Sequence, residues 1–143
     1  KAAVANARLA FERYHTIFSG EAWASLAAKG ARTQRCLWAS VSTKNPAYRD
    51  VMYIEPLIGP NTVTTVPDDT IAAFADHGVS ADTLGSDMAG AHAVIDQLKA
   101  LGIDTERVAE ELQIDGVQKF IDAFNTLIAK LDAKRAVIEG SIG

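Results

Sequence analysis

Two short apolar runs constrain this chain more than any other feature. Thr33-Gln34-Arg35-Cys36-Leu37-Trp38-Ala39-Ser40-Val41 is bounded by polar loops and reads as a buried strand. Val51-Met52-Tyr53-Ile54 reads as a second. Nearly everything else is patterned as helix, and two apolar strands do not close a sheet, because their open edges need neighbours. About ten residues separate the runs, whereas a parallel crossover takes roughly a dozen or more. The pair is therefore either a loose hairpin or a parallel pair with a very short connection. Both readings call for strands beyond these, and so for a fold larger than the 143 residues in hand.

The helical pattern is easier to follow. Val4, Arg8 (through its stem), Phe11, Tyr14 and Phe18 share a stripe over residues 1–18, with Leu9 and Ile17 beside it. Ser19 is a candidate N-cap for a short helix over Glu21–Lys29, stopped by Gly30. Asn45 before Pro46 interrupts any helix there. Glu55-Pro56-Leu57-Ile58-Gly59-Pro60-Asn61-Thr62 is punctuated, and Val63–Val66 reads as a loop or a short extended piece. Pro67 with Asp68 and Asp69 makes a favourable first turn for a helix to Asp76, ended by His77-Gly78. Ser80–Asp87 reads as a surface loop. Ala91, Val94, Ile95, Leu98 and Leu101 predict a helix over 89–101, closed by Gly102. Asp104 caps another, to about Gln113. The last helix is the clearest, with Phe120, Ile121, Phe124, Leu127, Ile128 and Leu131 on one face. No repeat, linker or internal domain boundary interrupts residues 1–143. The chain starts at Lys1, without methionine and inside a helical pattern. Two readings stand: a piece of something longer, or a trimmed end.

Composition removes several functions. With 14 basic and 18 acidic residues the chain carries a formal charge of −4, which argues against nucleic acid, whose phosphates favour a basic face. No apolar run approaches the roughly 18–20 residues of a membrane helix, and no signal core follows the first residues. The lone Cys36 cannot form an internal disulfide, so a reduced, cytoplasmic setting is the simplest expectation.

Lys44 is the most interesting basic residue. It lies just past the end of the first strand, beside Ser40, Ser42 and Thr43. Ligands of α/β folds collect at the carboxyl ends of strands, and a lysine with hydroxyls and loop amides can hold a phosphate. The plain alternative is a solvated loop lysine. A Schiff-base role would need burial or a neighbouring cation, which a loop position before Asn-Pro does not supply. The side-chain amide and hydroxyls of Pro60-Asn61-Thr62-Val63-Thr64-Thr65 could bind a sugar or phosphate, or serve only as turn residues. Asp68 and Asp69 could be an acid/base pair, but first-turn carboxylates explain them more simply. His15, His77 and His92 have no partners at metal-ligand spacing. Cys36, Trp23 and Trp38 read as core residues.

Gln34-Arg35-Cys36-Leu37-Trp38-Ala39-Ser40 followed by Lys44-Asn45-Pro46-Ala47-Tyr48 resembles the transaldolase family. The similarity is to its longer bacterial branch, found in actinobacteria and in fusions to phosphoglucose isomerase. Asn6-Ala7-Arg8-Leu9-Ala10, residues 28–31 and Pro60-Asn61-Thr62-Val63-Thr64-Thr65-Val66-Pro67 resemble that branch in the same order. The resemblance covers essentially the whole chain. It departs at Cys36, where the branch usually has proline, and at Val66, where it usually has methionine.

The resemblance implies a (β/α)8 barrel, a fold of about 250 residues. This chain would be its C-terminal part, with the last two barrel strands at 35–41 and 51–54 and the missing N-terminal part of the barrel as its structural partner. It implies transfer of a dihydroxyacetone unit between sugar phosphates such as sedoheptulose 7-phosphate and glyceraldehyde 3-phosphate. A lysine Schiff base upstream of Lys1 would serve as electron sink, with no metal or organic cofactor. No catalytic residue would fall within this chain. Ser40 matches a phosphate-binding serine and Lys44 a neighbouring basic residue. Ser42 and Thr43 are second choices, and Asn61 and Thr62 candidate wall residues. A fused isomerase domain after Gly143 is compatible with this branch. The rival reading is a stand-alone, helix-rich binding or interaction module without catalysis. A third is a different lysine aldolase on a related barrel.

Overall fold

A computed structural model describes residues 1–142 of the chain. The chain divides into two compact units, residues 1–97 and 98–143.

The first unit opens with α1 (Ala2–Ser19) and the short α2 (Glu21–Ala27). Ser19 does not cap α2. Its hydroxyl donates back to the His15 carbonyl at 2.6 Å, and Gly20 takes the cap position without a side-chain bond. A serine at the end of one helix can satisfy that helix's own free carbonyl, and here this bond wins over capping the next helix.

The two strands are short and parallel. β1 (Cys36–Trp38) pairs with β2 (Thr62–Thr64), in the register Cys36 to Thr62, Leu37 to Val63 and Trp38 to Thr64. Thr65 N–H extends the ladder to the Trp38 carbonyl at 3.0 Å. The first expected strand is thus confirmed but confined to its middle. The second is not where the composition put it. Residues 51–54 form tight turns, Ile54 N–H bonding to Val51 O at 3.0 Å, and lead into one turn of 3-10 helix at Glu55–Leu57. Val51 is fully buried and Met52, Tyr53 and Ile54 half-buried. Burial, not extended pairing, accounts for their apolar character, and a short apolar run does not separate the two causes. With β2 at 62–64, residues 39–61 are a crossover of ordinary length for a parallel pair.

The core gathers Phe11 from α1, Trp38 from β1, then Val41, Leu57 and Leu84. Leu84 belongs to the 80–87 segment, so that stretch is more than a surface loop: its leucine is 0% exposed. Thr83 and Leu84 N–H groups bond to the Ile58 carbonyl at 3.0 and 2.9 Å, and the Thr83 hydroxyl donates to Glu55 O. Gly59 makes this docking feasible. A Cβ there would lie 2.8 Å from Leu84 Cβ, closer than packed carbons tolerate. Arg8 clamps the same junction, donating from Nη2 to Thr83 O at 3.1 Å and lying 3.8 Å from the Asp87 carboxylate. Trp23 stays half-buried, edge-on to Phe18 at 4.7 Å.

α3 (Asp68–His77) follows Pro67, with Asp68 and Asp69 in its first turn. α4 (Met88–Ala100) ends before Gly102, whose φ of +80° suits glycine.

In the second unit, the two helices expected over 104–113 and 120–131 are one, α5 (Thr105–Ile142). Asp104 Oδ1 accepts the Glu106 N–H at 3.0 Å, the expected cap. Gly116 lies inside the helix without breaking it. Ion pairs at helical spacing, Arg107–Glu111 and Lys119–Asp115, run along it. Among the described residues no helix is long and apolar enough to cross a membrane.

Candidate functional site

Parallel strands place their carboxyl ends side by side, and the residues that follow them form a common rim. Ser40 follows β1 by two residues, and Thr65 follows β2 directly. Ser40 has φ +57°, a left-handed conformation that non-glycine residues adopt at a cost of about 1–2 kcal/mol. Buried Val41 anchors the chain next to it, 2% exposed. Backbone strain of this kind collects where a side chain must be held in one direction.

The loop then folds on itself. Asn45 Oδ1 accepts Ala47 N–H at 2.9 Å and Asn45 O accepts Tyr48 N–H at 3.0 Å, so Asn45-Pro46 turns the chain sharply. Lys44 stands before that turn. Its Nζ donates to Ser42 Oγ at 3.2 Å, and among the described residues it makes no ion pair.

Ser40, Ser42 and Lys44 line one cleft of about 430 Å³ together with Thr65, Val66 and Pro67. Lys44 also borders a second cleft with Thr43, Asp50 and Asp69, and a third with Asn45 and Arg49. Pro67, Asp69 and Thr70 bring the amino-terminal turn of α3 to the second cleft. An ammonium, hydroxyls and a helix amino terminus are the groups that bind oxyanions. The two first-turn carboxylates oppose an anion there, so Lys44 supplies the positive charge that any such ligand needs.

The structure brings Ser40, Ser42, Thr43 and Lys44 together. It does not bring Asn61 and Thr62 to them. These precede and open β2, roughly 10–13 Å along the strand from Thr65. Asn61 has φ +56°, and the Thr62 hydroxyl donates to Gly59 O at 2.9 Å, so both serve the turn into β2. Thr65 takes their place at the rim. It belongs to the 60–65 stretch whose hydroxyls are candidate ligands in the sequence, though nothing there marks where β2 ends.

Four titratable groups depart from their ordinary values. Burial pushes the half-buried Cys36 thiol up. Hydrogen bonds to Asp50 first, and then to Asp76, raise His77. The bond from His77 in turn lowers Asp50. Glu55 is lowered by the Val79 N–H and then by Arg49. His92 pairs with Glu12 at 2.8 Å, and His15 packs edge-on to Phe11 at 4.5 Å. Among the described residues no group of three or more His, Cys, Asp or Glu could hold a metal ion.

Known proteins are similar to this chain over most of its length. The family model described as Transaldolase/Fructose-6-phosphate aldolase matches residues 1–131. Transaldolase 2 of Nostoc punctiforme is 49% identical over 140 residues, 96% of this chain and 37% of that protein. A transaldolase of Parafrankia is 51% identical over 129 residues, 90% of the chain and 35% of the relative. Transaldolase 2 of Streptomyces coelicolor is 44% identical over 135 residues, 94% and 36% respectively. The chain thus spans little more than a third of the length of these curated relatives.

Proposed function

The chain belongs to the transaldolase/fructose-6-phosphate aldolase family, and on that premise we propose that it is the C-terminal part of a transaldolase. The complete protein would transfer a dihydroxyacetone unit from a ketose phosphate to an aldose phosphate. Its Schiff-base lysine would lie in the part of the relatives that this chain does not cover. β1 and β2 would be the last two strands of a (β/α)8 barrel, with β2 at Thr62–Thr64 rather than at 51–54.

Within this reading the chain contributes the substrate's phosphate grip. Ser40 and Lys44 hold the phosphate, with Ser42, Thr43 and Thr65 lining the same rim. Asn61 and Thr62 shape the entry to β2. One observation carries the assignment: the clustered hydroxyls and the unpaired ammonium share a cleft at the carboxyl ends of two parallel strands. That is where barrel enzymes bind ligands.

Two measurements test it. In the full-length protein Lys44→Ala should raise KM for phosphorylated substrates about tenfold or more, since a charge-assisted bond to phosphate is worth about 1.5–3 kcal/mol. A change within twofold sinks the assignment. In the second, borohydride trapping with fructose 6-phosphate should leave this 143-residue chain unlabelled. Covalent labelling, above all at Lys44, would move the nucleophile into the chain.

A further inference from the structure

Asp50 bonds to His77 and shares two clefts with Lys44. On one side its Oδ1 lies 2.8 Å from His77 Nε2. On the other it lines two of the three clefts that Lys44 borders, one with Ser42 and Asp69, the other with Asn45 and Arg49. It takes His77, while Lys44 turns to Ser42.

His77 is well placed to hold it. It is the last residue of α3 before the chain turns at Gly78. A Cβ at Gly78 would meet the Phe74 carbonyl at 2.6 Å, which fixes glycine there. The other ring nitrogen, Nδ1, lies 3.1 Å from Asp76 Oδ2. The His77 carbonyl accepts a bond from Arg49 Nη2 at 3.1 Å. Arg49 also pairs with Glu55, whose Oε1 accepts Val79 N–H at 2.9 Å. The crossover and the end of α3 are thereby laced together. The charged groups that these contacts set around His77 are Asp50, Arg49 and Glu55 from the crossover, and Asp76 from α3 itself.

We propose that His77 is a positioning residue for the phosphate rim: its imidazolium draws the Asp50 carboxylate away from Lys44 and leaves the ammonium free for an anion. The inference rests on the reading of Lys44 as a phosphate contact. With His77 charged, Asp50 is neutralised and directed toward α3. With His77 neutral, Asp50 loses its cation, becomes a competitor for Lys44, and makes the clefts more negative. The bonds to Asp50 and then to Asp76 raise the pH to which the ring stays protonated above that of an ordinary histidine. Anion affinity should therefore fall as pH rises through that raised value. Inorganic phosphate's own second ionisation adds negative charge as pH rises and so works in the opposite direction, which makes the sign diagnostic.

The test is inorganic phosphate binding to the full-length protein by titration calorimetry, from pH 6 to pH 9. Wild type should lose about two- to fivefold in affinity through the His77 titration, the scale of exposed charge pairs. Asp50→Asn should abolish that step while retaining binding. His77→Gln keeps a donor to Asp50 but not the charge, and should bind at low pH as weakly as wild type does at high pH. Coincident wild-type and Asp50→Asn profiles overturn the proposal. Unchanged phosphate affinity in Lys44→Ala overturns the underlying phosphate assignment instead. A 13C-histidine NMR titration needs no phosphate: wild-type His77 should titrate above an ordinary histidine side chain, and a midpoint at or below it sinks the clamp.

Discussion

In residues 1–97, Val51 and Leu84 are completely enclosed, yet neither lies in a helix or a strand. In residues 98–142, the chain is helical from Thr105 onward, yet Phe120 is 81% exposed and Ile128 41%. Regularity and burial have come apart. The first region is held by packing of side chains that local rules do not align. The second is held by local terms: a capped first turn, good helix formers and ion pairs at helical spacing. A helix this long needs less tertiary help than a short one.

That contrast can be broken by mutation. The largest effect should come from Leu84→Ala, which empties a fully enclosed site and should cost about 3–5 kcal/mol in denaturant unfolding. Phe120→Ala, a bigger truncation on α5, should cost less than about 0.5 kcal/mol if local terms hold that helix. Equal costs would erase the distinction. Next is Gly59→Ala, which adds one methyl against Leu84 and should cost about 1–3 kcal/mol. A neutral result would mean that the 80–87 segment can move aside. Smaller still, Asp104→Ala removes the α5 cap and should cost about 0.5–2 kcal/mol, read as lost helicity by circular dichroism rather than as loss of the aromatic core signal.

The smallest effect is in pH. His77 is raised, so its contribution to folding is full below its unfolded value near 6.5 and fades as pH rises through the higher folded one. Asp50 is lowered, so its contribution is present above its unfolded value near 3.8 and is lost as pH falls through the folded one. Thermal midpoints should be highest between those limits, and His77→Gln should remove the decline on the alkaline side. A decline that survives the substitution assigns it to another group.

Legibility in the sequence followed the same divide. α1, α3 and α4 were readable because periodicity and stops agreed: Pro67-Asp68-Asp69 opens α3, Gly78 ends it, and Gly102 closes α4. α5 was readable in its face but not in its continuity, because the helix capped by Asp104 was expected to end near Gln113 and the clear apolar face begins only at Phe120, while the helix runs straight through. β2 was readable only as a loop or short extended piece over 63–66, not as a paired strand. It is three residues long, rich in threonine, and paired with residues far away in sequence. Val51–Ile54 has the composition of a strand but the hydrogen bonds of a turn. Leu84 was hidden as one apolar residue in a polar segment. For the site, Ser40, Ser42, Thr43 and Lys44 could be found because they follow β1 within six residues. Thr65 could be found only as one hydroxyl of the 60–65 stretch, because the pairing of β1 with β2 is what brings it to the rim, and Asp50 and His77 could not, because the return of α3 brings them together.

Cys36 begins the strand on which this arrangement rests, opposite Thr62. Its thiol is half-buried and held protonated, and the thiolate is the reactive form. Alkylation should therefore be slow while β1 and β2 stay paired and fast once they part. The protein carries a chemical clock for the opening of its only described sheet, and the labelling rate at this single site reads out how often the rim beside Ser40 comes apart.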